Sequence, residues 1–147
     1  MPVTTSDTLG ATVVVELLAI DQLLRSRVTK ALPHGMEISH LTVLNYLAAS
    51  MGERTPAQLA ARFRLTRGAM TNTINKLDLM GFVHVRPDWD DARRKLVSIS
   101  GAGRAARDEA VRKITPLVNQ MVEDVGHDKI SRTLPILREM RQKLADD

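Results

Sequence analysis

The chain has no cysteine among its 147 residues, so disulfides, thiol redox sensing and cysteine-ligated zinc are all excluded. Aromatic residues are nearly missing, with one Trp, one Tyr and two Phe. Since 44% of the residues are apolar, a core has to be assembled from Leu, Val, Ile, Ala and Met, a palette that suits helices. No apolar run approaches the roughly 20 residues of a membrane-spanning helix. Residues 1–10 have no basic start and no secretory-signal shape, so a cytosolic protein is expected. There is no nucleophile–base constellation and no phosphate-cradling glycine loop, so neither an enzyme nor a cofactor is expected. The histidines His34, His40, His84 and His127 are scattered, and no pair has the i, i+4 spacing of a helical metal site, so no metal is expected either.

What is present is a localised positive charge. The formal net charge is +4. Residues 1–61 carry four Lys/Arg against five Asp/Glu, and residues 96–147 carry nine against eight. Residues 62–95 carry eight against four, so the whole surplus lies in that central stretch. A confined basic footprint is the electrostatic signature of polyanion binding, although a solvated basic surface would look the same by charge alone.

The length fits one ordinary domain. A first long helix is expected over about 8–31, with Val13, Leu17, Ile20, Leu24 and Val28 recurring every three or four residues as one apolar stripe. Pro33 and Gly35 end it. A second helix either opens at Ser39 or contains it, aligns Leu41, Leu44 and Leu47, and stops at Met51-Gly52. Thr55-Pro56-Ala57-Gln58 then reads as a helix start: a Thr cap, Pro at the first helical position, and Gln three residues after the cap. Arg64-Leu65 makes a tight turn. Thr66 caps the next helix, whose apolar residues Met70, Ile74, Leu77 and Met80 are helically spaced and which Gly81 ends. Two helices joined this way form a helix-turn-helix, the second being the reader.

Phe82 to Arg86 and Lys95 to Ile99 read as two strands. The connection Pro87–Arg94 is too long for a two-residue turn and is rich in charge, which makes it a wing. A long helix is expected over about 103–125, with a kink at Pro116, and a last one over about 128–145, bent by Pro135. The fold class is therefore mainly α with a small two- to three-stranded β wing: a winged helix-turn-helix flanked by N- and C-terminal helices. These end helices are more apolar than one small winged helix needs, and packing on a second copy would make a dimer. Two reading helices would then sit about one DNA turn apart on a pseudo-palindromic site.

With these elements in order, the chain resembles the MarR family of transcriptional regulators. The resemblance is carried by Thr-Pro-Ala-Gln-Leu-Ala at 55–60, by 65–81, and by Asp91-Ala92-Arg93 followed by Lys-Leu-Val-Ser-Ile-Ser-Gly-Ala-Gly at 95–103. The terminal helices match by position and pattern only. It implies one domain over 1–147, with dimerisation helices at about 1–35 and 103–147 and a winged helix-turn-helix at about 36–102. It also implies that Arg93 enters a DNA minor groove, with Asp91 orienting its guanidinium. A narrow A·T minor groove has the enhanced negative potential that draws such a planar cation. Where family members often carry a basic residue before this motif, the chain has Trp89 and Asp90. Asp88, Asp90 and Asp91 make the tip acidic, which should repel phosphate, and Arg94 and Lys95 offset this.

On the reading helix Arg67, Thr71, Asn72 and Asn75 point away from the apolar stripe. Arg67 matches guanine O6/N7 and Asn72 matches adenine N6/N7. Thr66, Gly68 and Ala69 occupy the start of the helix, where small residues let the backbone approach closely. Arg62 and Lys76 suit phosphate. Arg86 suits either a DNA-backbone or interdomain contact or a structural salt bridge. Trp89, the only tryptophan, is expected to pack on the ribbon, with stacking on a sugar or base as the other reading. By the resemblance, a small-molecule pocket lies near Arg25, Arg27, His40, Leu44 and Tyr46, and the arginines would pair with a carboxylate or phenolate. The implied function is a homodimeric, sequence-specific regulator of double-stranded DNA, a repressor released by a small organic effector, possible also without any effector. The rival is a winged helix used as a protein-interaction module.

Overall fold

The computed structural model describes residues 5–33, 35–50 and 52–146. His34 and Met51, singled out above, lie outside them. The elements run α1 (Thr5–Ala31), α2 (Ile38–Ala49), α3 (Pro56–Phe63), α4 (Arg67–Leu79), β1 (Val83–Pro87), β2 (Lys95–Ile99), α5 (Gly101–Val125) and α6 (His127–Ala145). The chain is mainly helical with a two-stranded antiparallel wing, as its residue pattern predicts. It divides into two compact units, Met1–Val111 and Arg112–Asp147. No helix among the described residues is long and apolar enough to cross a membrane.

In the first unit the core is aliphatic. Leu44 and Leu47 of α2, Leu59 of α3, Met70 and Leu77 of α4 and Val97 of β2 are fully buried. Each such side chain is worth about 1.5–3 kcal/mol relative to exposure. Ile74 and Val83 join them.

The helix boundaries follow local chemistry. Thr55 accepts from the Gln58 N–H at 3.1 Å while the Gln58 side chain accepts from the Thr55 N–H at 2.9 Å, the reciprocal box the sequence predicts. Arg64 takes a left-handed φ of 53° to turn the chain. The Thr66 hydroxyl accepts from the Ala69 N–H. At the other end of α4, Gly81 has φ 77°, its N–H donates to the Asp78 carbonyl, and the Phe82 N–H donates to that of Leu77. This double closure is what a C-terminal glycine in left-handed conformation provides. It takes the Phe82 N–H, so β1 begins at Val83 rather than at Phe82. The strand also extends to Pro87, which pairs with Lys95 at the end of the ladder, where a missing N–H is tolerated. Helix α2 starts at Ile38 with Glu37 as its cap, so of the two readings of Ser39 the structure places it within the helix. Helices α5 and α6 run unbroken through Pro116 and Pro135.

The wing is not a free ribbon. Arg54, between α2 and α3, bridges to Val97 through two backbone hydrogen bonds of 2.9 and 2.8 Å. This short third segment ties β2 to the start of the helix-turn-helix. At the other end of β2 the Ser100 hydroxyl donates to the Gly81 carbonyl and accepts from the Gly103 N–H. Gly103 is buried there, and a Cβ on it would collide with the Phe82 carbonyl oxygen.

Helix α1 is different in kind. Leu18 and Leu23 are each 64% exposed, and Leu9, Val14, Val15, Leu17 and Ile20 are exposed as well, so its apolar surface runs well beyond the expected stripe. In the second unit α6 buries none of its residues, and Leu134, Ile136, Leu137 and Leu144 are exposed.

The close approach at Gly103 makes a prediction. Gly103→Ala is expected to lower the unfolding free energy by about 1–3 kcal/mol, the range for overpacking. Gly101→Ala, whose added Cβ meets nothing within 4 Å, should leave it unchanged or slightly raised. Urea titrations of the two variants beside the parent provide the check.

Candidate nucleic-acid interface

Burial of Met70, Ile74 and Leu77 sets the rotation of α4. The opposite side is left to solvent: Arg67, Gly68, Ala69, Thr71, Asn72, Asn75 and Lys76 are all exposed. A cleft of about 460 Å³ lies between this helix, the start of α3 and the wing. Arg67, Thr71 and Asn75 line it from α4, and Arg93, Arg94 and Lys95 line it from the wing. Six residues marked by sequence thus share one concavity. Thr55, Pro56 and Ala57 line it too, a contribution that nothing in the local sequence announces. Asp78 is the one acid on its wall.

The wing tip turns two of its three acids, Asp88 and Asp91, onto its own arginines. Asp91 accepts from the Arg93 Nε at 3.3 Å and from the Arg93 N–H, and lies 3.5 Å from the Arg94 Nε. The Asp88 side chain, only 14% exposed, accepts from the Asp90 N–H and sits 3.8 Å from Arg94. The Arg93 side chain itself is 92% exposed. The expected orienting role of Asp91 therefore has its geometry. The acidity that should repel phosphate is, for Asp88 and Asp91, spent on arginines of the same tip.

Of the two readings of Arg86, the structure holds the salt bridge. Its guanidinium makes a two-pronged pair with Glu53, at 2.7 and 2.8 Å, and a third bond to the Pro87 carbonyl. The Glu53 hydrogen bonds raise the Arg86 pKa, so the cation is secured. Nothing near Arg86 in sequence marks Glu53, which is 33 positions away. Trp89 rests against the ribbon through Arg86 of β1. It is 79% exposed and meets the Arg86 guanidinium 5.4 Å from its ring centroid.

Arg62 is exposed at the end of α3 and lies over two rings, 5.4 Å from the Tyr46 centroid and 5.9 Å from that of Phe63. Those rings meet edge to face. A hydrogen bond with Arg54 lowers the Tyr46 phenol pKa. The other residues expected at a ligand pocket are dispersed in role. Leu44 is wholly core, Arg25 pairs with Asp21 one turn away, and Arg27 is exposed. None of the five lines the cleft beside α4. His40 is buried and is a cap: its Nδ1 accepts from the Glu37 N–H at 3.0 Å. Burial lowers its pKa below the usual 6.5, with Lys76 adding to this and Glu37 opposing it.

Residues 34–94, the span of the helix-turn-helix and wing, match the model of the MarR family. Over this segment the chain is similar to the MarR family. No curated protein sequence matches it significantly. Solved MarR structures share the architecture over nearly the full length. A MarR family transcriptional regulator from Streptomyces coelicolor is 20% identical, with 93% of this chain and 96% of that one covered at a TM-score of 0.81. The transcriptional regulator BldR from Sulfolobus solfataricus is 24% identical, with 95% and 94% covered at 0.73. A variant of MarR from E. coli complexed with operator DNA is 18% identical, with 86% and 94% covered at 0.71. At these identities the likeness establishes the fold. The arrangement is that of the MarR transcriptional regulators, a winged helix with long terminal helices.

The His40 cap makes the stability of this MarR fold sensitive to acid. With a folded pKa below 6.5, the unfolded chain binds the proton more readily, so stability is held above pH 6.5 and falls as the pH drops below it. Protonated Nδ1 no longer accepts from Glu37. His40→Gln, which keeps an acceptor at the same capping position without titrating, should flatten this dependence by up to about 1.4 kcal/mol per pH unit. Urea midpoints of both proteins between pH 7.5 and 5.5 measure the difference (roughly one proton's worth at most).

Proposed function

We propose that this protein is a homodimeric, sequence-specific DNA-binding repressor, released from a pseudo-palindromic operator by a small organic acid. The observation that carries the reading is the cleft that brings Arg67, Thr71 and Asn75 of the reading helix together with Arg93, Arg94 and Lys95 of the wing. One helix face dense in hydrogen-bonding side chains, beside an exposed arginine on a ribbon, suits a major groove and its flanking minor groove. The E. coli protein of the same fold, crystallised on operator DNA, supports it.

In this reading Arg67 and Asn72 contact base edges, with Thr71 and Asn75 beside them. Gly68 and Ala69 keep the start of α4 slim, and Thr66 holds that start in place as its cap. Arg62 and Lys76 meet phosphates, Arg62 braced on its two rings. Arg93 enters the minor groove with Asp91 behind it, and Arg94 and Lys95 flank it. Arg86 acts indirectly, as the brace between wing and Glu53. The exposed apolar side chains of α1, and separately those of α6, are the surfaces a second copy covers. The effector works by preferring the state that does not fit DNA, as any ligand that shifts a population must. With Leu44 closed in the core and His40 engaged as a cap, Arg25, Arg27 and Tyr46 are the residues left to recognise an acid.

Selection from a random duplex library, followed by binding titrations over a salt series, tests this. The expected result is a palindromic site with half-sites about one turn apart. Arg93→Ala should lower affinity and reduce the salt slope by about one, whereas Asn72→Ala should relax preference at one base by about 1–3 kcal/mol. No enriched site, and no binding at low salt, would move the chain to the protein-interaction class. The dimer is checked separately: sedimentation should give two copies for the parent and one for the Leu18→Glu/Leu23→Glu variant.

A further inference from the structure

The most exposed aromatic surface of the molecule belongs to Trp89, and it is exposed yet held. Its indole sits against the Arg86 guanidinium, 5.4 Å from the ring centroid, and that guanidinium has all three of its nitrogens engaged. Glu53 takes two of them and the Pro87 carbonyl takes the third. A cation that cannot swing away gives the indole a fixed neighbour. The ring therefore meets water over most of its area without gaining the freedom that an unattached side chain would have. An aromatic so arranged has little ordering entropy left to lose on contact with a ligand.

The charges around it say which ligand. Asp88 and Asp91 are turned onto Arg93 and Arg94, which leaves the indole of Trp89 and the guanidinium of Arg93 open to solvent, with the exposed Asp90 as the remaining acid of the tip. An aromatic plane next to an exposed cation matches a nucleic-acid strand, whose sugars present C–H surface and whose phosphates present charge. We propose that Trp89 is a DNA contact: its indole lies on the deoxyribose wall of the groove that Arg93 enters. This deepens the DNA-binding reading and rests on it. Sugars are alike at every step, so the contact adds affinity without adding sequence preference. The indole carries no charge, so its contribution is insensitive to salt, unlike that of Arg93.

Trp89 is the only tryptophan, which makes it its own reporter. The experiment titrates the full chain with an A·T-rich duplex of about 30 base pairs at about 20 mM salt. Anisotropy of the labelled duplex reports binding, while Trp89 emission and its quenching by acrylamide report burial. The expected result is quenching protection that rises in step with anisotropy. Trp89→Ala should weaken binding about tenfold with an unchanged salt slope, and Trp89→Phe should recover most of the loss. Binding with Trp89 as open to acrylamide as in the free protein, or with Trp89→Ala at full affinity, overturns the contact and leaves the DNA-binding reading standing. A parent protein with no affinity for the duplex at this salt overturns both.

Discussion

Burial of Met70, Ile74 and Leu77 is the constraint on which the rest of the molecule depends. With so few aromatics, the core around them is aliphatic and closed at the level of single methyl groups, including Leu44, Leu47, Leu59 and Val97. A helix seated by three residues at four- and three-residue spacing has no rotational freedom left. The side chains of Arg67, Thr71, Asn72 and Asn75 are outward because those three are inward. The same helix ends at Gly81 in a closure that also decides where the wing begins, since the Phe82 N–H is spent on the helix. One packed stripe thus fixes both the polar face and the point from which the ribbon departs.

The wing is then held to the helix-turn-helix from the other side. Arg54 pairs with Val97 by backbone, and Glu53 next to it grips Arg86 by side chain. The two residues before the α3 cap are therefore stitched to both strands of the ribbon. A partly exposed ion pair in isolation contributes little to stability. Here its consequence is geometric: two parallel bonds plus a backbone bridge fix an angle. The acidic tip follows the same logic. Two acids that read as repulsive charge in the sequence, Asp88 and Asp91, are internal scaffolding in the fold, because short Asp side chains in a turn reach nearby N–H groups and guanidinium groups more readily than solvent-borne phosphates.

Much of this architecture was legible in the residues. The helices, their caps at Thr55 and Thr66, the Gly81 stop and the two strands all depend on contacts within four or five positions, and such contacts leave periodic or punctuating signals. What could not be read were pairings across distance. Glu53 with Arg86 is separated by 33 positions and Asn45 with Arg107 by 62, and neither pair carries a local mark. The neighbour of Trp89 was hidden for a related reason: contact with the ribbon could be foreseen, but not that its partner is the Arg86 guanidinium held by Glu53. His40 was singled out as a ligand candidate, and a capping role at the third helical position ordinarily belongs to Glu or Gln.

The sequence by itself determined the order and kind of the elements, the face that α4 buries and the concentration of net positive charge in 62–95. These follow from helical and strand periods and from caps, which act over a single turn. Only the tertiary structure decided which of the charged residues are free and which are committed: Arg86 to Glu53, Asp88 and Asp91 to their own arginines, His40 to the start of α2. It also decided that Arg67, Thr71 and Asn75 share a cleft with Arg93, and that Trp89 stands in water against a clamped guanidinium. The physical reason is that side-chain partnership depends on proximity in space, which the packing of α2, α3 and α4 against β1 and β2 creates and no local pattern encodes.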